Sequence, residues 1–322
     1  MTDLEINKIY NEPCLDTLKK MPNDFLDCVI TSPPYWQLRD YGYNGQWGLE
    51  PTYQEYLEHL WEMMDEIYRV LKPTGTVWIN LGDTYSGSGA GHKETGKGSY
   101  SAENFRKQTT KIKNIPNKCL LLIPHRFAIG CIDRGWILRN DIIWAKPNGM
   151  PESVTDRFSK KHEYFFFMVK SQKYYFDLDS VRDKLSSASI KRYEYGWNGN
   201  EIRGYIDGNQ NNMSKFLGNN EKKKEAIEKG KNCGDVSDFW DIPTKPSTNE
   251  HYASYNDALL RKPILAGCPE NGIVYDPFMG TGSTAEVAIR AKRNFIGSEM
   301  SKEYIEICNN RLDKFINQQK LF

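Results

Sequence analysis

Apolar residues recur at three-and-four spacing from Tyr53 to Leu71, where Tyr53, Leu57, Leu60, Trp61, Met64, Ile67 and Leu71 line one side of a helix. Pro73-Thr74-Gly75 then reads as a turn into a strand over Thr76–Leu81. Ahead of the helix, the short apolar run Asp27-Cys28-Val29-Ile30 predicts a buried strand that stops where Pro33 and Pro34 begin. Downstream, the pattern predicts a helix from Pro124 to Gly135 and strands over Trp136–Lys146 and His162–Val169. Lys173–Phe176 is read as a hairpin partner of the second of these. Near the C-terminus, Gly272–Tyr275 reads as a strand, Ser283–Lys292 as a helix and Asn294–Glu299 as another strand. Strands and helices that alternate before a late hairpin fit a mostly parallel, open α/β sheet with one antiparallel edge.

Two polar stretches without periodicity interrupt this pattern. Ser88–Lys118, rich in Gly and Ser, holds seven basic residues against two acidic ones. Val181–Cys233 holds eleven against seven, interleaved with Tyr193, Tyr195, Trp197, Tyr205 and Phe216. The chain's net charge of +1 does not mark a nucleic-acid binder, but this uneven distribution does. Basic, aromatic, Asn- and Gly-rich sequence suits phosphate contacts and base readout. The same composition also suits a solvated loop, and both readings stand for each stretch.

At 322 residues the chain can bury a sizeable α/β core and carry one smaller domain. No apolar run approaches the roughly 18 residues of a membrane span. Met1–Glu5 has neither the basic start nor the apolar core of a secretion signal. The seven cysteines show no Cys-x-x-Cys or Cys/His pairing. Reduced structural thiols, a cytoplasmic setting and no metal site are therefore expected.

Two motifs carry the candidate chemistry. The first is Thr31-Ser32-Pro33-Pro34-Tyr35-Trp36. Both prolines have fixed φ and no N–H, and each restricts the residue before it to extended backbone. The result is a stiff loop at a strand end that displays one hydroxyl, outward carbonyls and two large π-faces. A planar base with an exocyclic amino group suits that inventory: Ser32 Oγ and the Pro33 carbonyl accept its hydrogens while Tyr35 stacks on the ring. Trp36 reads equally as a pocket wall or as core.

The second motif is Asp276-Pro277-Phe278-Met279-Gly280-Thr281-Gly282-Ser283-Thr284, a strand-to-helix turn rich in glycine. Its glycines allow close backbone approach to a ligand, and the helix N-terminus offers free N–H groups. Glu299, at the end of the following strand, suits the hydroxyls of a ribose. Gly280-x-Gly282-x-x-Ala285 with Glu299 also matches a dinucleotide fingerprint. Its late position and the Asp-Pro-Phe before the glycines argue against a dehydrogenase, as does its pairing with the distant Ser-Pro-Pro-Tyr.

Together and in this order, the two motifs resemble those of amino-group DNA methyltransferases of the β permutation, over nearly the whole chain except the two polar stretches. The resemblance implies a Rossmann-like fold with a seven-stranded, mostly parallel sheet, an antiparallel edge hairpin and a small target-recognition insertion. It divides the chain into a catalytic half (1–178), a target-recognition region (179–244) and a cofactor half (245–322). It also implies S-adenosyl-L-methionine (AdoMet) as cofactor, double-stranded DNA with a flipped base as substrate, and a cognate restriction enzyme as a possible partner. Ser32, Pro33, Pro34 and Tyr35 are the implied catalytic residues. Asp276, Phe278, Gly280, Thr281, Gly282, Ser283 and Glu299 are the implied cofactor residues. Ala253 and Ser254 join them, in a segment after His251 that resembles the family's closing run; His251 itself also reads as a surface or capping histidine.

This sequence departs from the family pattern at Glu12-Pro13-Cys14, where members commonly have Gly-Asp-Cys. The acid that reaches the cofactor's adenine is thereby displaced by one residue. Pro13-Cys14 also raises the thiolate chemistry of cytosine C5 methylation, but exocyclic amino transfer needs no covalent step, and a buried structural cysteine is expected. Within the family, Ser at position 32 accompanies cytosine N4 methylation and Asp there accompanies adenine N6 methylation. Ser32 favours cytosine.

Overall fold

A computed structural model describes residues 4–87, 112, 114–184, 228–231, 236–244 and 256–319. In chain order the elements are β1 (Lys8–Tyr10), α1 (Cys14–Lys20), β2 (Leu26–Thr31), α2 (Tyr53–Val70), β3 (Leu71–Leu81), α3 (Ile123–Asp133), β4 (Ile137–Ala145) and β5 (His162–Val169). There follow α4 (Leu178–Val181), β6 (Phe239–Asp241), α5 (Asp257–Gly267), β7 (Ile273–Asp276), α6 (Ser283–Arg290), β8 (Asn294–Ser298) and α7 (Lys302–Gln319). The chain separates into two units, 1–176 with 238–322, and 177–237. In the smaller one, Asp177 caps α4, Asp179 pairs with Lys229, and Lys184 bridges Lys231.

The apolar stripe from Tyr53 does form a helix. Thr52 starts it with a capping box, its hydroxyl accepting from Glu55 N while the Glu55 carboxylate accepts from Thr52 N. Tyr56, Leu60, Met63, Met64, Ile67 and Val70 are fully buried. The strand after it begins at once, at Leu71. Pairing with β2 starts at Leu71, shifts register, and resumes at Thr76, so Pro73-Thr74-Gly75 is an irregularity inside β3 and not a turn before it.

The strands form one sheet in the order β1-β8-β7-β2-β3-β5-β4-β6. All neighbours are parallel except those of β5, which is antiparallel to both β3 and β4. The sheet thus has eight strands where seven were expected; β1 and β6, of three residues each, have too little sequence to show a period. The antiparallel hairpin is β4–β5, with β6 outside it. Lys173–Phe176 is no strand: Tyr174 and Phe176 pack their rings on Phe167, and the Tyr175 amide goes to the Thr74 carbonyl.

Alternation along the central strands sorts side chains onto two faces. Val29, Val77, Ile79, Phe166, Met168 and Tyr275 join α1, α2 and α3 in one core cluster. Cys28, Ile30, Trp78, Phe165, Phe167 and Val274 join α5, α6 and α7 in the other. Helices on both faces leave the strand ends as the open surface. β2 and β7 are neighbours whose following crossovers run in opposite directions, through α2 to β3 and through α6 to β8. The crevice beyond the carboxyl ends of such a pair is where ligands bind in open α/β sheets. Both sequence motifs leave the sheet there.

Candidate active site

Asp276 joins the two motifs. Its carboxylate is buried at the end of β7 and accepts three hydrogen bonds. Thr31 Oγ1, at the end of β2, donates to Oδ1 at 2.6 Å. The Phe278 amide donates to the same oxygen at 3.0 Å, and Thr284 Oγ1 donates to Oδ2 at 2.6 Å. Burial pushes the Asp276 carboxyl up to about 6, against the pull of these donors. Its carboxylate therefore spans the end of the catalytic strand, the turn and the first turn of α6, and fixes their relative positions.

In the catalytic loop, Tyr56 OH donates to the Pro34 carbonyl at 2.8 Å and holds its backbone from below. The Pro33 carbonyl meets no donor among the described residues. Ser32 Oγ stands 3.4 Å from both Tyr35 OH and Asn80 Oδ1, long contacts that leave its lone pairs available. Tyr35 OH lies 2.9 Å from Asn80 Oδ1 and 2.8 Å from Glu163 Oε2, and Glu163 is ion-paired with Lys146. The Asn80 amide donates to the Tyr164 carbonyl at 3.0 Å, which turns its oxygen toward Ser32 and Tyr35. Gly82 lies against the ring itself, for a Cβ there would come within 2.5 Å of Tyr35 Cε2. The Tyr35 ring is thereby held in one place by strands β3, β4 and β5. Trp36 is core: it is buried, and its indole donates to the Glu50 carbonyl.

The cofactor turn divides into two parts. Gly280, at φ 55°, has open space where a Cβ would stand, the nearest atom being the Phe278 carbonyl oxygen at 4.0 Å. Its amide donates to Glu299 Oε2 at 2.8 Å, and the Ser301 amide donates to Oε1 at 2.8 Å. Burial raises the Glu299 carboxyl above its usual value. Gly282, at φ 84°, serves packing: a Cβ would fall 2.0 Å from Cys308 Sγ on α7. Arg311 occupies the Thr281 carbonyl and the Ser283 hydroxyl, at 3.0 and 2.9 Å. Phe278 is half-buried, its ring edge-on to Trp47 at 5.3 Å. The loop after Trp36 reaches the same end of the sheet, where Tyr43 OH donates to Ser301 Oγ at 2.8 Å.

Ala253, Ser254 and His251 lie outside the described residues, as do most of the two basic stretches. Glu12 is engaged by the helix that follows it, accepting from Thr17 Oγ1 and pairing with Lys20. Cys14 is buried, and desolvation pushes its thiol up to about 12, which leaves no thiolate for nucleophilic work near neutral pH. Sequence reasoning missed Asn80, Gly82, Lys146 and Glu163. The one local signal was an amide inside the apolar run Trp78-Ile79-Asn80-Leu81.

The sequence profile of the N6/N4 DNA methylases matches residues 26–310. The Type II methyltransferase M.Cfr9I of Citrobacter freundii is 33% identical over 96% of this chain and 89% of its own length. M.SmaI of Serratia marcescens is 31% identical over 97% and 92%. Among solved structures, the cytosine-N4-specific PvuII DNA methyltransferase superposes with a TM-score of 0.61 at 17% identity, covering 95% of this chain and 86% of that one. A Thermus thermophilus protein, TTHA0409, solved in complex with AdoMet, superposes with a TM-score of 0.57 at 19% identity, covering 96% and 93%. At these identities the two structures speak to the fold. The extent of the profile match and of the curated relatives establishes that the chain belongs to the N6/N4 DNA methylase family.

Proposed function

We propose that this chain is a site-specific Type II DNA methyltransferase that methylates the exocyclic N4 of a flipped-out cytosine, with AdoMet as donor. One observation carries the reading: Asp276 ties the Ser-Pro-Pro-Tyr loop to the glycine turn, so that a base held by the first lies beside a cofactor held by the second. Gly280 leaves room for the cofactor, and the Glu299 carboxylate, with lone pairs beyond those taken by two amides, suits its ribose. No side chain caps α6, so its first-turn amides suit the cofactor's carboxylate. When bound, AdoMet supplies a methyl group made electrophilic by the sulfonium.

The amino nitrogen of a base is a poor nucleophile because its lone pair is delocalised into the ring. Ser32 Oγ and the Pro33 carbonyl accept its two hydrogens, which favours a pyramidal nitrogen and frees the lone pair. The same two acceptors stabilise positive charge as it develops on that nitrogen, an effect greatest in the transition state. Tyr35, fixed by Asn80, Glu163 and Gly82, stacks on the ring and aligns it for in-line attack. Water takes the proton released by the methylated nitrogen. A base inside a duplex cannot reach these groups and must be flipped out. Ser32, in place of the Asp that accompanies adenine chemistry, favours cytosine. Residues 179–244 carry target recognition in this reading.

Incubating unmethylated plasmid DNA with the protein and labelled AdoMet, then mapping the modified positions by sequencing, tests the reading. Label confined to one short recurring sequence is expected. Absence of label, or label scattered without a common sequence, would remove it.

A further inference from the structure

Phe158 and Met150, 96% and 84% exposed, are the most exposed large apolar side chains among the described residues. Both stand on the connection between β4 and β5, residues 146–161. Their backbones are clamped. Arg157 Nη1 donates to the Phe158 carbonyl at 2.9 Å and to Glu152 Oε2 at 2.6 Å, with its guanidinium 4.2 Å from the centre of the Tyr85 ring. Lys161 Nζ donates to the carbonyls of Gly149 and Met150 at 2.6 and 2.7 Å. Asp156, two residues before Phe158, is paired with Lys118. A lone exposed apolar side chain is ordinary. Two on one loop, each with its carbonyl gripped by a cationic side chain, are a presented surface.

The connection leaves the sheet at the active end, for Ala145 pairs with His162 and Leu81 with Tyr164. The residues at its two roots, Lys146 and Glu163, are the ion pair whose carboxylate holds Tyr35 OH. Phe158 is five residues from Glu163, so chain reach keeps it within about 18 Å of that root. The loop holds four bases and two acids. But Lys146 pairs with Glu163, Arg157 with Glu152 and Lys160 with Asp83, and Lys161 is spent on two backbone carbonyls, so electrostatic attraction is not what its tip supplies.

A base that leaves the stack opens a gap in the duplex, and proteins that distort DNA insert apolar side chains between base steps. We propose that Phe158 is such a wedge: its ring enters double-stranded DNA at the target step, fills the space the flipped base vacates, and keeps that base on Tyr35. The occupant of this loop is the substrate duplex, because the loop is rooted in the residues that hold the base platform. The proposal rests on the DNA-methylation reading.

Phe158→Ala removes no packing, so melting temperature and AdoMet affinity should match wild type. Its methylation rate on a duplex with the mapped site should fall roughly ten- to hundredfold, and Phe158→Trp should recover most of the loss. On a duplex whose target base faces an abasic site, where unpairing is already done, Phe158→Ala and wild type should differ by less than about threefold. Equal losses on both duplexes, or a loss on neither, would overturn the wedge. A wild-type protein that methylates neither would overturn the reading beneath it.

Discussion

Gly82→Ala tests how Tyr35 is held. Gly82 does not have a positive φ, so alanine brings no backbone strain of its own. The new Cβ would lie 2.5, 2.7 and 3.2 Å from Cε2, Cδ2 and Cζ of Tyr35. Ordinary contact begins at about 3.4 Å, so the ring edge must retreat by roughly 1 Å. A phenol moved that far cannot keep both its 2.9 Å contact to Asn80 and its 2.8 Å contact to Glu163. The stability lost is one hydrogen bond, about 1 kcal/mol. The rate should suffer more, because a misplacement of this size costs about 100-fold when alignment limits the reaction. Single-turnover methyl transfer with saturating AdoMet measures it, and a second background isolates the cause. In Tyr35→Ala there is no ring to displace, so adding Gly82→Ala should change the rate by less than about twofold. A wild-type rate in Gly82→Ala alone, or an equal loss in both backgrounds, would show that Gly82 does not position the Tyr35 ring.

Ser32→Ala should lower turnover by about 100-fold, as loss of one acceptor in a preorganised site does, with AdoMet affinity by calorimetry unchanged. The two glycines of the cofactor turn should fail differently. Both substitutions put valine at a positive φ and share that backbone strain. Gly282→Val also drives a side chain into Cys308 and should lower unfolding free energy in urea by roughly 1–3 kcal/mol more than Gly280→Val does. Gly280→Val instead projects into open space and should weaken AdoMet binding in the protein that remains folded. The Asp276 carboxyl, near 6 when folded against the usual 3.8, binds its proton more tightly in the folded state. Its contribution therefore favours folding fully below 3.8 and is lost as pH rises through about 6. Wild type should thus gain stability over Asp276→Asn between pH 7 and pH 4, by up to roughly 3 kcal/mol; a difference flat across that range would contradict the buried acid. Neutralising Lys222, Lys223 and Lys224 together should weaken DNA binding at all sequences and reduce its salt slope by about 0.9 for each of them that meets a phosphate, with AdoMet affinity unaltered.

What could be read from sequence was what lies close together in the chain. The Ser-Pro-Pro-Tyr loop and the glycine turn each carry their geometry in a few adjacent residues, where proline and glycine restrict the backbone directly. The long helix declared itself by the periodicity of its apolar residues. The support of the site was different. Asn80 and Glu163 reach Tyr35 from 45 and 128 residues away, and beyond the place of the Asn80 amide in an apolar run nothing local marks them. Their convergence depends on β5 lying between β3 and β4, an order that apolar pattern does not encode. Lys173–Phe176 misled for a related reason, since aromatic residues suit a strand and a packed surface alike. The acid of the second motif was legible as important, but its bond to Thr31 was not. That bond needs β2 beside β7, which only the folded sheet supplies.

Nucleoside analysis of methylated DNA identifies the atom that receives the methyl group. DNA treated with the protein and methyl-labelled AdoMet would be digested to nucleosides and separated by chromatography with mass detection. Label is expected in N4-methylcytosine, and should be lost in Ser32→Ala while AdoMet binding persists. Label in N6-methyladenine would keep the amino-transfer chemistry and overturn the choice of base. Label in 5-methylcytosine, or undiminished transfer by Ser32→Ala, would contradict the mechanism itself.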